Sequence, residues 1–162
     1  MIVKPKKVYK SFERSPVYDL SFENVHNFLL EDGVVVHNCD TFQSYDLLQQ
    51  LSAHNFNTQI ISVDKVTDKI CLLGDTLINT PEGKKRIDEI LPGDSVYSFN
   101  LETQQKEVDA VTTWEHTENV TEYFIISTQD GDIKCTGNHL ILTDRGYVEA
   151  QNLTEEDLII KI

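Results

Sequence analysis

Cys71-Leu72-Leu73-Gly74-Asp75-Thr76 opens a stretch, residues 71–162, whose texture decides the fold. Turn signals recur along it at Pro81-Glu82-Gly83, Pro92-Gly93-Asp94, Asp130-Gly131-Asp132 and Asp144-Arg145-Gly146. Between them lie runs rich in β-branched and aromatic residues, at 94–99, 122–127 and 140–143. Short strands with regularly spaced turns predict an all-β fold. Two stretches, 86–90 and 154–158, each read as a single helical turn. Trp114 and His116, beside Glu115 and Glu118, read as part of a surface loop.

Working outward, residues 1–38 share this β texture. Strands are expected at 8–14, 17–22 and 27–30. Glu31-Asp32-Gly33 then leads into Val34-Val35-Val36, and an Asp-Gly pair between apolar runs signals a hairpin. Residues 39–70 differ. Leu47, Leu48 and Leu51 fall on one helical face, Asn55-Phe56-Asn57 reads as a turn, and 58–63 reads as a strand. Helix, turn and strand make a fragment of an α/β layer that cannot bury its own faces. The chain is thus read as two β segments, 1–38 and 71–162, around a short α/β insert.

A chain of 162 residues has room for one ordinary domain with an appendage, and no tract is apolar enough to span a bilayer. The basic start, Met1-Ile2-Val3-Lys4-Pro5-Lys6-Lys7, is not followed by a long apolar stretch and does not read as a secretory signal. Three cysteines in no metal-knuckle spacing argue against a disulfide framework or zinc site, and suit a reduced, cytoplasmic setting. The net charge of −13 is uneven. Residues 1–38 carry five basic and five acidic side chains, 39–70 two and four, and 71–162 seven and eighteen. Opposite charge in a basic N-terminal arm and an acidic C-terminal block favours their association. It argues against nucleic-acid binding by the acidic block.

Taken singly, the reactive residue types have ordinary explanations. Cys39, Cys71 and Cys135 fit as small buried hydrophobes. His139 fits as a turn residue, and His26 and His37 as half-buried structural histidines. Asp19, within Val17-Tyr18-Asp19-Leu20, needs water or a partner. The joint pattern is more specific. Cys71 to Thr76, with Leu91-Pro92-Gly93-Asp94-Ser95-Val96, resembles the opening block of an intein, a protein-splicing domain. Cys135-Thr136-Gly137-Asn138-His139-Leu140 resembles the intein motif Thr-x-x-His, continued by Arg145-Gly146-Tyr147-Val148-Glu149-Ala150. Val17 to Leu20, His26 to Leu29, and Val36-His37-Asn38-Cys39 resemble the two closing blocks. The closing blocks come first, so the resemblance implies a horseshoe-like intein (Hint) fold in circularly permuted order. Segments 1–38 and 71–162 would then form one domain, too small to include a homing endonuclease.

The resemblance also implies roles. Cys71 would take the acyl group of Ile70 as a thioester. His139 would donate a proton to the departing nitrogen, while Thr136 and Asn138 hold the amide or oxyanion. Asp19 would activate thiols. Cys39 would capture the acyl group, and the Asn38 side chain would cyclise onto its own carbonyl, assisted by His37 and His26. Cys135 reads as a core residue. No cofactor, metal or membrane is implied.

In this order, residues 39–70 would be joined head to tail as a cycle. If the halves are not cognate, complementary split-intein chains would be required. Exchange of halves between molecules would give a domain-swapped dimer. Residues 39–70 also look like part of a phage terminase large-subunit nuclease, in which Asp40 would be a weak metal-ligand candidate. In that alternative the segment would be trans-spliced into a DNA-packaging enzyme of a phage-infected cell.

Overall fold

The structure, a computed structural model, describes residues 1–23, 25–38 and 71–162, with the backbone alone at 115 and 117–119. The helix and strand expected within 39–70 lie outside the described residues, as do Cys39, Asp40 and Ile70. The first segment contributes β1 (Ile2–Val3), β2 (Pro5–Ser11), β3 (Ser15–Phe22), β4 (Asn27–Leu29) and β5 (Val35–His37). The second begins with β6 (Leu72–Leu73), β7 (Leu77–Thr80), β8 (Gly83–Arg86), β9 (Ser95–Asn100) and β10 (Gln105–Val120). It continues through β11 (Tyr123–Thr128), β12 (Gly131–Cys135), β13 (Leu140–Thr143), β14 (Gly146–Glu149) and β15 (Ile159–Ile160). Every strand pairing among the described residues is antiparallel. The described chain is all-β, with 3₁₀ turns at Ile87–Glu89 and Ala150–Asn152. No described helix is long and apolar enough to cross a membrane.

The two segments are interleaved rather than packed side by side. One sheet runs β2-β11-β12-β6-β3-β10-β9, and another runs β1-β15-β13-β5-β4 with β14 also on β13; β7 and β8 form a small ribbon. Without β3, the pair β10-β9 would lose its link to β6-β12-β11. Without β5 and β4, the edge of β13 that they cover would be open. In β3 (SPVYDLSF) side chains alternate: Tyr18, Leu20 and Phe22 form the apolar face, while Val17 and Asp19 are buried on the other. Its Leu20 and Phe22 enter the main core with Phe28, Leu72, Ile126 and Ile141. Val17 turns the other way, into a small cluster with Cys71, Leu73 and Tyr123.

The Asp32-Gly33 hairpin forms between β4 and β5. Leu30 N–H donates to Val34 O at 2.9 Å, and Val34 N–H to Asp32 Oδ1 at 3.3 Å. Gly33 takes φ +86°, and the Ile162 amide donates to its carbonyl at 2.9 Å. That turn therefore also anchors the end of the acidic segment. Next to it, the Met1 carbonyl accepts from Lys161 N–H at 2.9 Å.

Two sequence expectations are corrected. Trp114 and His116 do not lie in a loop: they belong to β10, 16 residues long, which pairs first with β9 and then with β3. Its polar sequence hid a strand whose ladder comes from tertiary neighbours. Residues 154–158 do form a single turn, closed by Asp157 N–H to Thr154 O at 3.2 Å, with no helix beyond it. The Asp157 carboxylate accepts from both the amide and the hydroxyl of Thr154, at 2.8 and 3.2 Å, and pairs with Arg145. Thr154 Oγ1 also accepts from Glu156 N–H at 3.3 Å, so these side-chain bonds cap the turn. The strand expected over 8–14 is instead Pro5–Ser11. The helical turn expected at 86–90 is the 3₁₀ turn Ile87–Glu89.

A Cβ on Gly33 would stand 2.4 Å from the Ile162 carbonyl oxygen, in backbone unsuited to other residues. Gly33→Ala is expected to lower stability by about 1–3 kcal/mol, read as a shift in the urea unfolding midpoint.

Candidate functional site

Leu72 and Leu73 are held on both edges, and this sets the position of Cys71. On one side, Tyr18 faces Leu72 and Val17 faces Leu73. On the other, Cys135 faces Leu72. One further step in each register puts Cys71 between Asp19 and Thr136. The Thr136 side agrees in detail. Cys71 N–H donates to Thr136 Oγ1 at 3.0 Å, and Thr136 N–H donates to Cys71 O at 2.9 Å. Cys71 and Asp19 are both buried, each 1% exposed, and both are engaged with neighbours.

Asn38, at the end of the first segment, approaches the same turn. Val36 faces Ile141 on β13, so one register pairs Asn38 with His139. The hairpin with β4 continues as Asn38 N–H donating to His26 O at 2.9 Å. The turn itself is closed by His139 N–H to Thr136 O at 3.1 Å. It is pinned from outside by Gln151 N–H to Gly137 O and Ala150 N–H to His139 O, both at 2.8 Å. Two positions 33 residues apart in sequence therefore sit at the two ends of one four-residue turn, 136–139.

The electrostatics of this turn are unusual. His139 is fully buried, and neither ring nitrogen has a hydrogen-bond partner among the described residues. Burial first, and then the charge of His37, depress its pKa from 6.5 to about 3, so the ring is neutral at physiological pH. Asn38 is also fully buried, and both atoms of its side-chain amide lack partners among the described residues. An unsatisfied buried polar group costs about 1–3 kcal/mol, and two side by side need a reason. His37 Nδ1 lies 2.7 Å from the Asn38 carbonyl oxygen. A carbonyl only accepts, so Nδ1 carries the proton. No protein-family model and no curated protein matches this chain.

The remaining expected residues fall around this centre. Asn138 is half-buried on the turn and engaged. His26 is exposed, with its ring roughly parallel to that of His37 at 6.3 Å. Cys135 is buried in the main core, where desolvation pushes its thiol up to about 12. Cys39 and Ile70 lie outside the described residues. Two residues in the site's surroundings carried no role in the sequence. Asn27, opposite His37, exchanges two 2.8 Å hydrogen bonds with the Phe99 backbone and ties β4 to β9. Its signal was an amide inside an apolar run. Tyr147 meets the His37 ring edge-to-face at 5.0 Å, and no local pattern announced it.

Chemically, the arrangement offers a held backbone amide at Cys71, an uncharged buried imidazole, and an amide side chain next to a polarised carbonyl. The imidazole also predicts a pH dependence. His139 ionises near 6.5 when unfolded and near 3 when folded, so the unfolded chain binds the extra proton. Its contribution is complete above about 6.5 and is lost as pH falls toward 3. Between pH 7 and pH 5 the loss is about 2 kcal/mol. His139→Leu is expected to remove that part of the dependence, measured by urea unfolding of both proteins at the two pH values.

Proposed function

We propose that this chain is a self-processing, intein-like Hint domain of horseshoe-like fold in circularly permuted order. Its segments 1–38 and 71–162 act on the bonds that flank residues 39–70. The observation that carries the proposal is the convergence of Asn38 and Cys71 on the turn Thr136–His139. The four motif resemblances in the sequence support it, as does the pair of unpartnered buried side chains. Both are reactive types without a hydrogen-bond partner among the described residues.

The Cys71 thiol attacks the Ile70 carbonyl, and the bond between that carbon and the Cys71 nitrogen breaks. The thiol proton passes by way of Asp19 or His139 to the departing nitrogen, which becomes an amine. Burial disfavours the imidazolium, so a protonated His139 is a strong acid toward that nitrogen. Thr136 Oγ1 fixes the amide, and Asn138 lies on the same turn beside the developing oxyanion. The Cys39 thiol then displaces the Cys71 thiol at the Ile70 carbonyl, a step whose rate rests on proximity. Asn38 Nδ2 attacks the Asn38 carbonyl, forming a succinimide and expelling the Cys39 amine. His37 polarises that carbonyl, with His26 at the solvent side. The freed amine captures the acyl group from sulfur as an amide, which yields a cycle of residues 39–70.

Cyclisation within one chain is favoured over trans-splicing into a terminase because both segments alternate through the same two sheets. Free thiols are required throughout, which suits a cytoplasmic setting. Intact-mass measurement after incubation with a mild thiol should detect residues 1–38, residues 71–162, and a 39–70 product one water lighter than its linear form. Asn38→Ala should abolish release at Asn38 and retain thiol-sensitive cleavage before Cys71. A chain that stays whole with its cysteines intact would sink the proposal. Appearance of products only on adding a second chain would favour trans-splicing.

A further inference from the structure

We infer that Tyr147 is a positioning residue for His37: its ring walls the imidazole into the orientation that keeps Nδ1 on the Asn38 carbonyl. The inference rests on the proposed splicing reaction for its rate readout, but not for its geometric one. His37 is half-buried at the end of β5 and has unequal neighbours. On one side, the His26 ring is roughly parallel at 6.3 Å and itself exposed, so it is a loose wall. Tyr147 meets the imidazole at 86° and 5.0 Å, within the distance and geometry of a direct edge-to-face contact.

Tyr147 can act as a wall because it is itself fixed. It lies on β14, in register with Leu142 of β13, and β13 in turn pairs with β5. The ring and the backbone of His37 thus belong to one hydrogen-bonded frame. Tyr147 also packs against the cluster of Leu29, Val35 and Leu142. Burial raises the pKa of its hydroxyl, so it remains neutral and exerts no charge on the imidazole near neutral pH. What it supplies is a flat, immobile surface. Without that surface, the χ2 of histidine is broad and its χ1 has three wells. The 2.7 Å contact to the Asn38 carbonyl would then be one arrangement among several.

Tyr147→Leu keeps apolar bulk but removes the flat ring, and Tyr147→Phe keeps the ring. Release at Asn38 is measured in the full chain carrying Cys71→Ala, and thiol cleavage before Cys71 in the full chain carrying Asn38→Ala. Tyr147→Leu should slow the first by roughly five- to tenfold, the share of His37 rotamers no longer excluded, and leave the second unchanged. Tyr147→Phe should restore the parental rate. Independently, the Nδ1–H resonance of His37 should be protected and downfield in the parent and Tyr147→Phe, and lost to exchange in Tyr147→Leu. An unchanged resonance and unchanged release in Tyr147→Leu would overturn the inference. So would equal slowing at both bonds with a lowered unfolding midpoint, since that marks general destabilisation. If the resonance responds as expected but no variant cleaves, the positioning role holds and the splicing proposal falls.

Discussion

A strand of two residues governs this site. Leu72 and Leu73 are hydrogen-bonded to β3 on one edge and stand opposite β12 on the other, with both side chains buried. Because strand side chains alternate, Leu72 points into the main core, while Cys71 and Leu73 point into the smaller cluster with Val17 and Tyr123. A slip of one residue would exchange these faces, forcing Leu72 into the smaller cluster and Cys71 and Leu73 into the main core. The registers on the two sides therefore agree for reasons of burial, and that agreement puts the Cys71 amide against Thr136 Oγ1.

Asn38 is held by a different device. It is carried by a hairpin whose Asp-Gly turn is locked by the end of the chain at Ile162. The opposite end of that hairpin leaves Asn38 across from His139. Interleaving of the two segments is what makes the two devices meet. Sheets shared between 1–38 and 71–162 leave neither segment with a complete hydrogen-bonded edge of its own. The uneven charge of the segments is consistent with this, since the basic lysines of β2 lie along the sheet edge beside β11 of the acidic segment. Contacts across this division include the Lys10–Glu122 and Lys84–Glu31 ion pairs. Both are solvent-exposed, so they add little to stability. The shared ladders and core hold the segments together.

Much of the architecture could be read locally. The Asp32-Gly33 hairpin, the runs at 17–22 and 140–143, and the turns at Gly131 and Gly146 each carry their signal within a few residues. β10 does not, because a polar strand gains its stability from partners that lie about a hundred residues away. The 154–158 turn could be read because its bonds are local, Asp157 reaching back to the amide and hydroxyl of Thr154.

The sequence by itself determined the all-β character of residues 1–38 and 71–162 and the reactive residue types at Asn38, Cys71 and His139. Those follow from periodicity, turn chemistry and motif spacing, all of which act over short distances along the chain. Only the tertiary structure decided that Asn38 and Cys71 meet at one turn, that His139 is fully buried, and that the Tyr147 ring meets that of His37. Each of those depends on long-range strand register and on complete removal from water, and neither quantity is a property of any local stretch of sequence.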